Sequence, residues 1–428
     1  MVAAFASRGY KVIGVDSKPA FVQLINEGAL PVFETHLEGY LRKNKERIGA
    51  TLDYEEAALN SDITFIVVPT PSNENDDFSM KYVAKAGEKV GRALKDKSGF
   101  HLIVLTSTVT PGSTQNQLLP VLEKNSGKKC GINFGLCYNP EFIALGNVID
   151  DILNPDFVLI GESDKKSGDI LETFYNNICL NNPPVKRMSI INAEITKIAL
   201  NTYVTTKISY ANMLAELCEK IPGANVDVVT DALGSDTRIG HKYLKGALGY
   251  SGPCFPRDNR AFIYTAKKFG VSLPIAKATD EINRRQVPRL LERILSVLPK
   301  AGRITVLGVS YKPNTNVAEE SQGLELAKVL SEKGIPVSVY DPKAMEEANK
   351  VLNNVKFANS LKEAIQDADL ILIATPWEEF KNIEPDWLKP KVILFDCWRI
   401  LDPQRYEGIA EYLPLGVNSD GDKKTKGN

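Results

Sequence analysis

The sequence predicts an α/β protein in which two doubly wound units flank a central helical region. Three features carry this prediction. Apolar runs of strand length alternate with helical segments up to residue 188, the alternation resumes from residue 299, and a long helical pattern dominates the stretch between. At 428 residues the chain exceeds what one hydrophobic core serves. The expected division is 1–188, 189–298 and 299–418, followed by a polar tail over 419–428 that reads as disordered.

Residues 11–16 (KVIGVD) form an apolar strand closed by an acid. In a dinucleotide-binding βαβ unit the acid ending the second strand bonds the ribose hydroxyls and selects NAD over NADP, which makes Asp16 a cofactor candidate. Residues 1–7 (MVAAFAS) already read as the preceding helix. The first strand and the GxGxxG loop of the unit are therefore expected to be missing from this chain. Residues 62–71 (DITFIVVPTP), 101–108 (HLIVLTST), 135–141 (GLCYNPE) and 157–161 (FVLIG) are further buried strands of a parallel sheet covered on both faces. Ligands bind at the carboxyl ends of such strands, which places Thr70, Thr108 and Glu141 on one rim, with Pro71 beside Thr70.

Residues 192–221 read as one helix, marked by Ile195, Ile198, Ala199, Ile208, Ala211, Leu214, Leu217, Cys218 and Ile221. Lys197 and Asn201 share a face of it. A second helical segment covers 273–298, with Pro288 as a break or fresh start. From residue 303, RITVLGVSYKP has the strand-then-glycine form of a nucleotide site, though with Gly308 alone. Strands over 337–341, 370–376 and 392–396 continue this second α/β unit.

Hydrophobic residues at 43%, charged residues at 25% and a net charge of -1 describe an ordinary soluble protein, and no dense basic run suggests nucleic acid. The six cysteines are scattered without a CxxC pair and there are three histidines, so neither a zinc site nor a disulfide framework is supported and no metal is expected. No apolar segment is long enough to span a bilayer and the N-terminus does not read as a signal peptide, so the expected location is cytoplasmic.

The chemistry concentrates in residues 249–258, GYSGPCFPRD. A lone cysteine is ordinarily a small buried hydrophobe. Here glycines and prolines crowd Cys254 in a rigid, polar-edged loop, a good place for an attacking thiolate, and Asp258 follows four positions later. Residues 238–245 (RIGHKYLK) lead into the loop and read either as a solvated charge cluster or as a grip for pyrophosphate.

Together these motifs resemble the UDP-glucose/GDP-mannose dehydrogenase family. The resemblance runs from residue 1 to about residue 417, through GYSGPCFPRD, NPEF at 139–142, EITKIALNTY, RIGHKYLK and SYKPNT at 310–315. It implies an NAD-binding Rossmann domain, a helical middle that forms a homodimer, and a Rossmann-like domain for the nucleotide of the sugar donor. It also implies four-electron oxidation of a UDP-hexose at C6, with NAD as cofactor. Carried over by motif, Cys254 is the nucleophile, and Lys197 and Asn201 steady the oxyanion. Asp258 and Thr108 hold the water, and Glu141 acts in thioester hydrolysis. Phe142, Arg238, Tyr243, Lys245, Gly249, Tyr311, Lys312 and Arg399 join Glu141, Lys197 and Asn201 around the UDP-sugar. Asp16, Thr70, Pro71 and Thr108 fall to the cofactor, and Arg238 resembles an arginine that reaches across the dimer.

The chain departs from the family pattern in four places. The GxGxxG loop is absent, and Leu145 stands where glucose-type members often carry a second acid. Glu319-Glu320-Ser321 replaces an Arg-Glu-Ser signature, and Pro253 replaces a small residue. UDP-glucose is the expected hexose donor, because CFPRD is closer to the glucose-type loop; UDP-N-acetylmannosamine and UDP-N-acetylglucosamine are the alternatives. Readings of another kind are a 6-phosphogluconate-type dehydrogenase, which needs no thiol, and a nucleotide-sugar-binding protein with a lost NAD site.

Overall fold

The computed structural model describes residues 1–32 and 34–418; the tail over 419–428 lies outside the described residues. The chain divides into two compact units, Met1–Leu200 with Tyr264–Gly270, and Asn201–Ile263 with Val271–Asn428.

In the first unit the strands are β1 (Val12–Val15), β2 (Ile48–Thr51), β3 (Ile63–Ile66), β4 (His101–Leu105), β5 (Phe134–Tyr138), β6 (Val158–Glu162) and β7 (Val185–Ser189). They form a two-stranded sheet, β1-β2, and a five-stranded sheet, β3-β4-β5-β6-β7. The pairs β1-β2, β3-β4, β4-β5 and β6-β7 are parallel. As expected, residues 1–7 are helical, in a helix Val2–Ser7. Its Phe5 packs on Phe65 and Phe174, with ring centroids 5.2 and 4.9 Å away.

Strand periodicity builds this core. Ile103 and Leu105 face the Lys81–Asp96 helix through Val83, Val90 and Leu94, while Leu102 and Val104 face Phe5, Leu171 and Ile178 on the other side. One expectation is corrected. Residues 157–161 do form a strand, but β6 runs antiparallel to β5, with Cys137 opposite Glu162. The connection between them, residues 139–157, holds the short helix Val148–Leu153.

The second unit holds β8 (Ile304–Leu307), β9 (Val337–Tyr340), β10 (Lys356–Phe357), β11 (Leu370–Ile373), β12 (Ile393–Asp396) and β13 (Glu411–Pro414). All pairs are parallel, in the order β10-β9-β8-β11-β12-β13, which is 3-2-1-4-5-6. Val306, Val339, Leu372 and Phe395 line one face, and Leu307, Ile371, Ile373 and Leu394 the other.

The long helix spans Ile190–Cys218, ending earlier than expected because Pro222 and the left-handed Gly223 close the chain behind it. Its apolar positions do not form one buried face: Ile198, Ala211 and Cys218 are buried, while Ile195 and Leu217 are exposed, as is Ile221 just beyond its end. The second helix runs without a break over Pro274–Val297, with Pro288 inside it. A proline there costs about 3 kcal/mol, and burial of Val287, Leu290 and Ile294 in the second unit's core offsets it.

His101 opens β4, almost wholly buried, with Nε2 2.8 Å from Thr64 Oγ1. Burial and the neighbouring Lys97 push its pKa down to about 4. A histidine whose folded value lies below its unfolded one binds fewer protons when folded, so the stability present above pH 6.5 is lost as pH falls toward about 4. Denaturant unfolding at pH 7 and pH 5 should show a loss about 2 kcal/mol smaller in His101→Asn than in the parent.

Candidate active site

In the first unit, three segments leave the carboxyl ends of β3, β4 and β5. Ser107 Oγ donates to the carbonyl of Val68 (2.7 Å) and accepts from its N–H (2.9 Å), stitching the first two exits together. Thr70 Oγ1 donates to the carbonyl of Thr108 (2.7 Å). At the third exit Asn139 is buried; its amide donates to the carbonyl of Leu159 (2.8 Å), and its Oδ1 accepts from the Tyr175 hydroxyl (2.5 Å). This anchors the turn carrying Glu141 and Phe142.

Lys197, on the long helix, is 8% exposed, unlike an ordinary helical lysine. Its Nζ donates to the backbone carbonyl of Glu141 (2.7 Å) and lies 4.7 Å from the centre of the Phe142 ring. Glu141 Oε1 is buried with no hydrogen-bond partner. Burial pushes its carboxyl up, against the opposing pull of the Met1 amine and Lys197. Thr70 is thus joined to Thr108, and Lys197 to Glu141 and Phe142.

In the second unit, Cys254 is exposed and immediately precedes the helix Phe255–Lys268, its carbonyl accepting from the N–H of Asp258 (2.8 Å). Asp258 is buried in the first turn, and its Oδ2 accepts from Asn201 Nδ2 (2.7 Å). Residues four apart share a helix face, so the cysteine, the acid and the amide form a constellation.

Two glycines set the cysteine loop. Gly249 donates its N–H to Gln322 Oε1 (2.7 Å), and a side chain there would collide with Asn283 and Gln322. Gly252 is left-handed (φ 83°), and a Cβ on it would lie 2.6 Å from the Tyr311 ring. The loop and the SYKP turn are thereby packed together. Lys312 Nζ is 5.8 Å from the centre of the Tyr311 ring.

The basic approach is less uniform. Arg238 pairs with Asp236 (2.6 Å) on the surface. Tyr243, left-handed at φ 66° and half-exposed, sets its ring edge-on to Phe255. Lys245 Nζ is 3.3 Å from Asp227 Oδ1. Arg399, expected at the substrate, makes protein contacts in this arrangement. Its Nε and Nη2 donate to Asp227 (2.7 and 2.8 Å), Nη1 donates to the carbonyls of Cys397 and Leu415, and Nη2 also donates to that of Gly246. A guanidinium has five N–H groups and protein acceptors engage them all. As placed, Arg399 holds protein to protein.

Three segments match one family: residues 1–179 its NAD binding domain, 191–285 its central domain and 305–403 its UDP binding domain. The chain belongs to the UDP-glucose/GDP-mannose dehydrogenase family. It is similar to the UDP-glucose 6-dehydrogenase AglM of Haloferax volcanii, 33% identical over 96% of this chain and 95% of that protein. The UDP-glucose 6-dehydrogenase TuaD of Bacillus subtilis is 34% identical over 89% of this chain and 81% of its own. The solved UDP-glucose dehydrogenase of Pyrobaculum islandicum superposes with a TM-score of 0.87 at 31% identity, covering 97% of this chain and 94% of that one. The chain is accordingly an NAD-dependent oxidoreductase acting on CH–OH, of the nucleotide-sugar 6-dehydrogenase family.

The residues present fit NAD at its ribose end. Asp16 Oδ1 accepts from the N–H of Lys18 (2.8 Å), and Oδ2 has no protein partner among the described residues. Asp341 follows β9, the corresponding strand of the second sheet, but is closed. Its Oδ2 accepts from Val309 N, Ser310 N, Ser310 Oγ and Trp377 Nε1, and its Oδ1 from Lys343 N and Ala344 N. No oxygen is left for a ribose, and the N–H groups after β8 are turned inward.

Sequence reasoning missed Asn139's partner Tyr175, and also Asp227, Gln322 and Asp341. Only Asp341 had a signal, as the acid of YDP closing a strand; the others are recognisable only once distant segments meet.

A carboxyl whose folded pKa is raised stabilises the fold fully below its unfolded value, and that contribution is lost as pH rises through the folded value. Glu141→Gln should therefore melt above the parent at pH 8, with the gap closing as pH falls to 4, measured as Tm.

Proposed function

We propose that the chain oxidises the C6 alcohol of UDP-glucose to the carboxylate of UDP-glucuronate. The observation that carries this reading is Cys254, exposed at the start of the Phe255–Lys268 helix, with the Asp258–Asn201 hydrogen bond on the same helix face. Two NAD bound in succession would each accept one hydride per sugar, the first from the alcohol and the second from the adduct that follows. An aldehyde has no hydride to give until a nucleophile adds to it. Cys254 Sγ attacks C6 to form a thiohemiacetal, whose oxidation leaves a thioester; water then releases the acid and returns the thiol. The helix N-terminus favours the anionic thiolate that begins the step.

The Lys197 ammonium and the Asn201 amide, one helical turn apart, donate to the oxyanion developing at C6. Asp258, fixed by Asn201, works with Thr108 to hold the water that takes up protons. Glu141, with its unpartnered buried oxygen and raised carboxyl, is suited to carry a proton during thioester hydrolysis. Phe142, Arg238, Tyr243, Lys245, Gly249, Tyr311 and Lys312 form the grip on the UDP-sugar, and Asp16, Thr70 and Pro71 the contacts to NAD.

Two relatives named for UDP-glucose, at 33% and 34% identity, and the Pyrobaculum structure support glucose as the sugar. GDP-mannose 6-dehydrogenase of Pseudomonas syringae pv. syringae stands at 32% identity over 88% of both chains, so the guanine donor belongs in the same assay. NADH formed per sugar under limiting substrate should be two on UDP-glucose, with UDP-N-acetylmannosamine, UDP-N-acetylglucosamine and GDP-mannose run in parallel. Cys254→Ser should abolish net turnover. A ratio of one, or unchanged turnover in that variant, removes the thioester route. No NADH on any sugar favours a nucleotide-sugar-binding protein.

The reading includes a homodimer through the central helices. Tyr203, Tyr210, Met213 and Leu217 are all exposed and recur at near-heptad spacing along the long helix, an apolar stripe suited to a second copy. Sedimentation velocity should show a dimer that Met213→Glu with Leu217→Glu converts to monomer; a dimer unaffected by both charges would move the interface elsewhere.

A further inference from the structure

We propose that Glu194 is a positioning residue for the dehydrogenase reaction: its carboxylate pins the turn leaving β4, and with it Thr108, to the helix that bears Lys197. This rests on the catalytic reading above. Glu194 lies one turn before Lys197 and is fully buried. Its Oε2 accepts from the N–H of Gly112 (2.5 Å) and its Oε1 from the N–H of Thr114 (2.9 Å). These donors open the helical segment formed by Thr114–Leu118 and Leu119–Ser126, whose first N–H groups have no partners within the helix.

The turn after β4 is held at three points. Thr70 reaches the carbonyl of Thr108, Asp77 accepts from the hydroxyl of Thr110, and Glu194 takes the N–H groups of residues 112 and 114. Thr70 and Asp77 belong to the segment following β3, so they fix the turn only to its neighbour in the sheet. Glu194 alone among the three belongs to the helix of Lys197. The site needs the Thr108 hydroxyl and the Lys197 ammonium in one fixed relation, and this carboxylate ties their two carriers together. Packing alone does not account for a carboxylate here, since burying one is costly and an apolar side chain would fill the same space. The two N–H groups meet separate carboxylate oxygens, and in Gln one of those two places is taken by an NH2 that would face an N–H donor.

The test uses the full chain and the variants Glu194→Gln, Thr108→Ala and the double mutant. Backbone hydrogen exchange should show at least tenfold loss of protection at residues 112 and 114 in Glu194→Gln, with the strands of the first unit unchanged. With NAD and the sugar that the parent oxidises, kcat should fall on the order of tenfold or more with little change in the sugar KM. The double mutant should be no slower than Thr108→Ala alone, because the carboxylate acts through Thr108. Unchanged protection would overturn the proposal, as would multiplying rate losses in the double mutant. Should Glu194→Gln not fold, Glu194→Asp keeps the charge, withdraws it by one methylene and is held to the same outcomes. A parent that reduces no NAD on any sugar refutes the catalytic reading instead, and the exchange measurement still decides whether Glu194 holds the turn.

Discussion

A stripe of buried polar groups along the Ile190–Cys218 helix is the constraint on which the rest depends. Glu194, Lys197, Asn201, Thr205, Ser209 and Asn212 fall at successive turns of one face, and all are buried. Each needs a partner, because an unpaired polar group away from water costs on the order of 1–3 kcal/mol. Thr205 donates to the Thr202 carbonyl within the helix, and the other partners lie far off in sequence: Gly112 and Thr114 for Glu194, the Glu141 carbonyl for Lys197, Asp258 for Asn201, the Thr279 carbonyl for Ser209, and Ala247 with Leu248 for Asn212. In the first unit the helix thereby holds the turn after β4 and the NPE turn; in the second it holds the acid behind the cysteine and the approach to the cysteine loop. A polar buried face also leaves the helix's apolar residues elsewhere, which accounts for the exposed stripe from Tyr203 to Leu217.

The legible part of this chain was the part with local chemistry. Strands announced themselves as short apolar runs, and β4 and β11 are almost wholly buried, so burial on both faces left an uninterrupted signal. The cysteine loop was legible because its glycines and prolines are local requirements. The family was legible from the order of several short motifs. Strand direction at β6 was not, since an apolar run reads the same both ways. Pro288 misled because propensity is local while the burial that overrides it is not. The partner of a buried polar side chain was least legible of all: Tyr175 could not be assigned to Asn139, or Asp227 to Arg399, before the fold had brought them together.

Two acids at corresponding strand ends show how one architecture separates two tasks. Asp16 keeps one oxygen without a protein partner among the described residues, whereas Asp341 turns back on the loop after β8. Trp377 and Ser310 complete that closure from within the second unit. The acid after β9 is thus fully engaged by its own unit, whereas the acid after β1 is not.

Arg399 sits with φ at 56°, a conformation that disfavours any residue with a Cβ and suits glycine. Its side chain meanwhile supplies hydrogen bonds to Asp227, Cys397, Gly246 and Leu415 that no glycine could make. Backbone and side chain at this position therefore ask for opposite residues, and the guanidinium prevails. A position under such opposed demands has very few tolerated substitutes, lysine not among them, since one ammonium cannot fork to five acceptors. Among distant relatives it should drift only together with Asp227, as a matched pair.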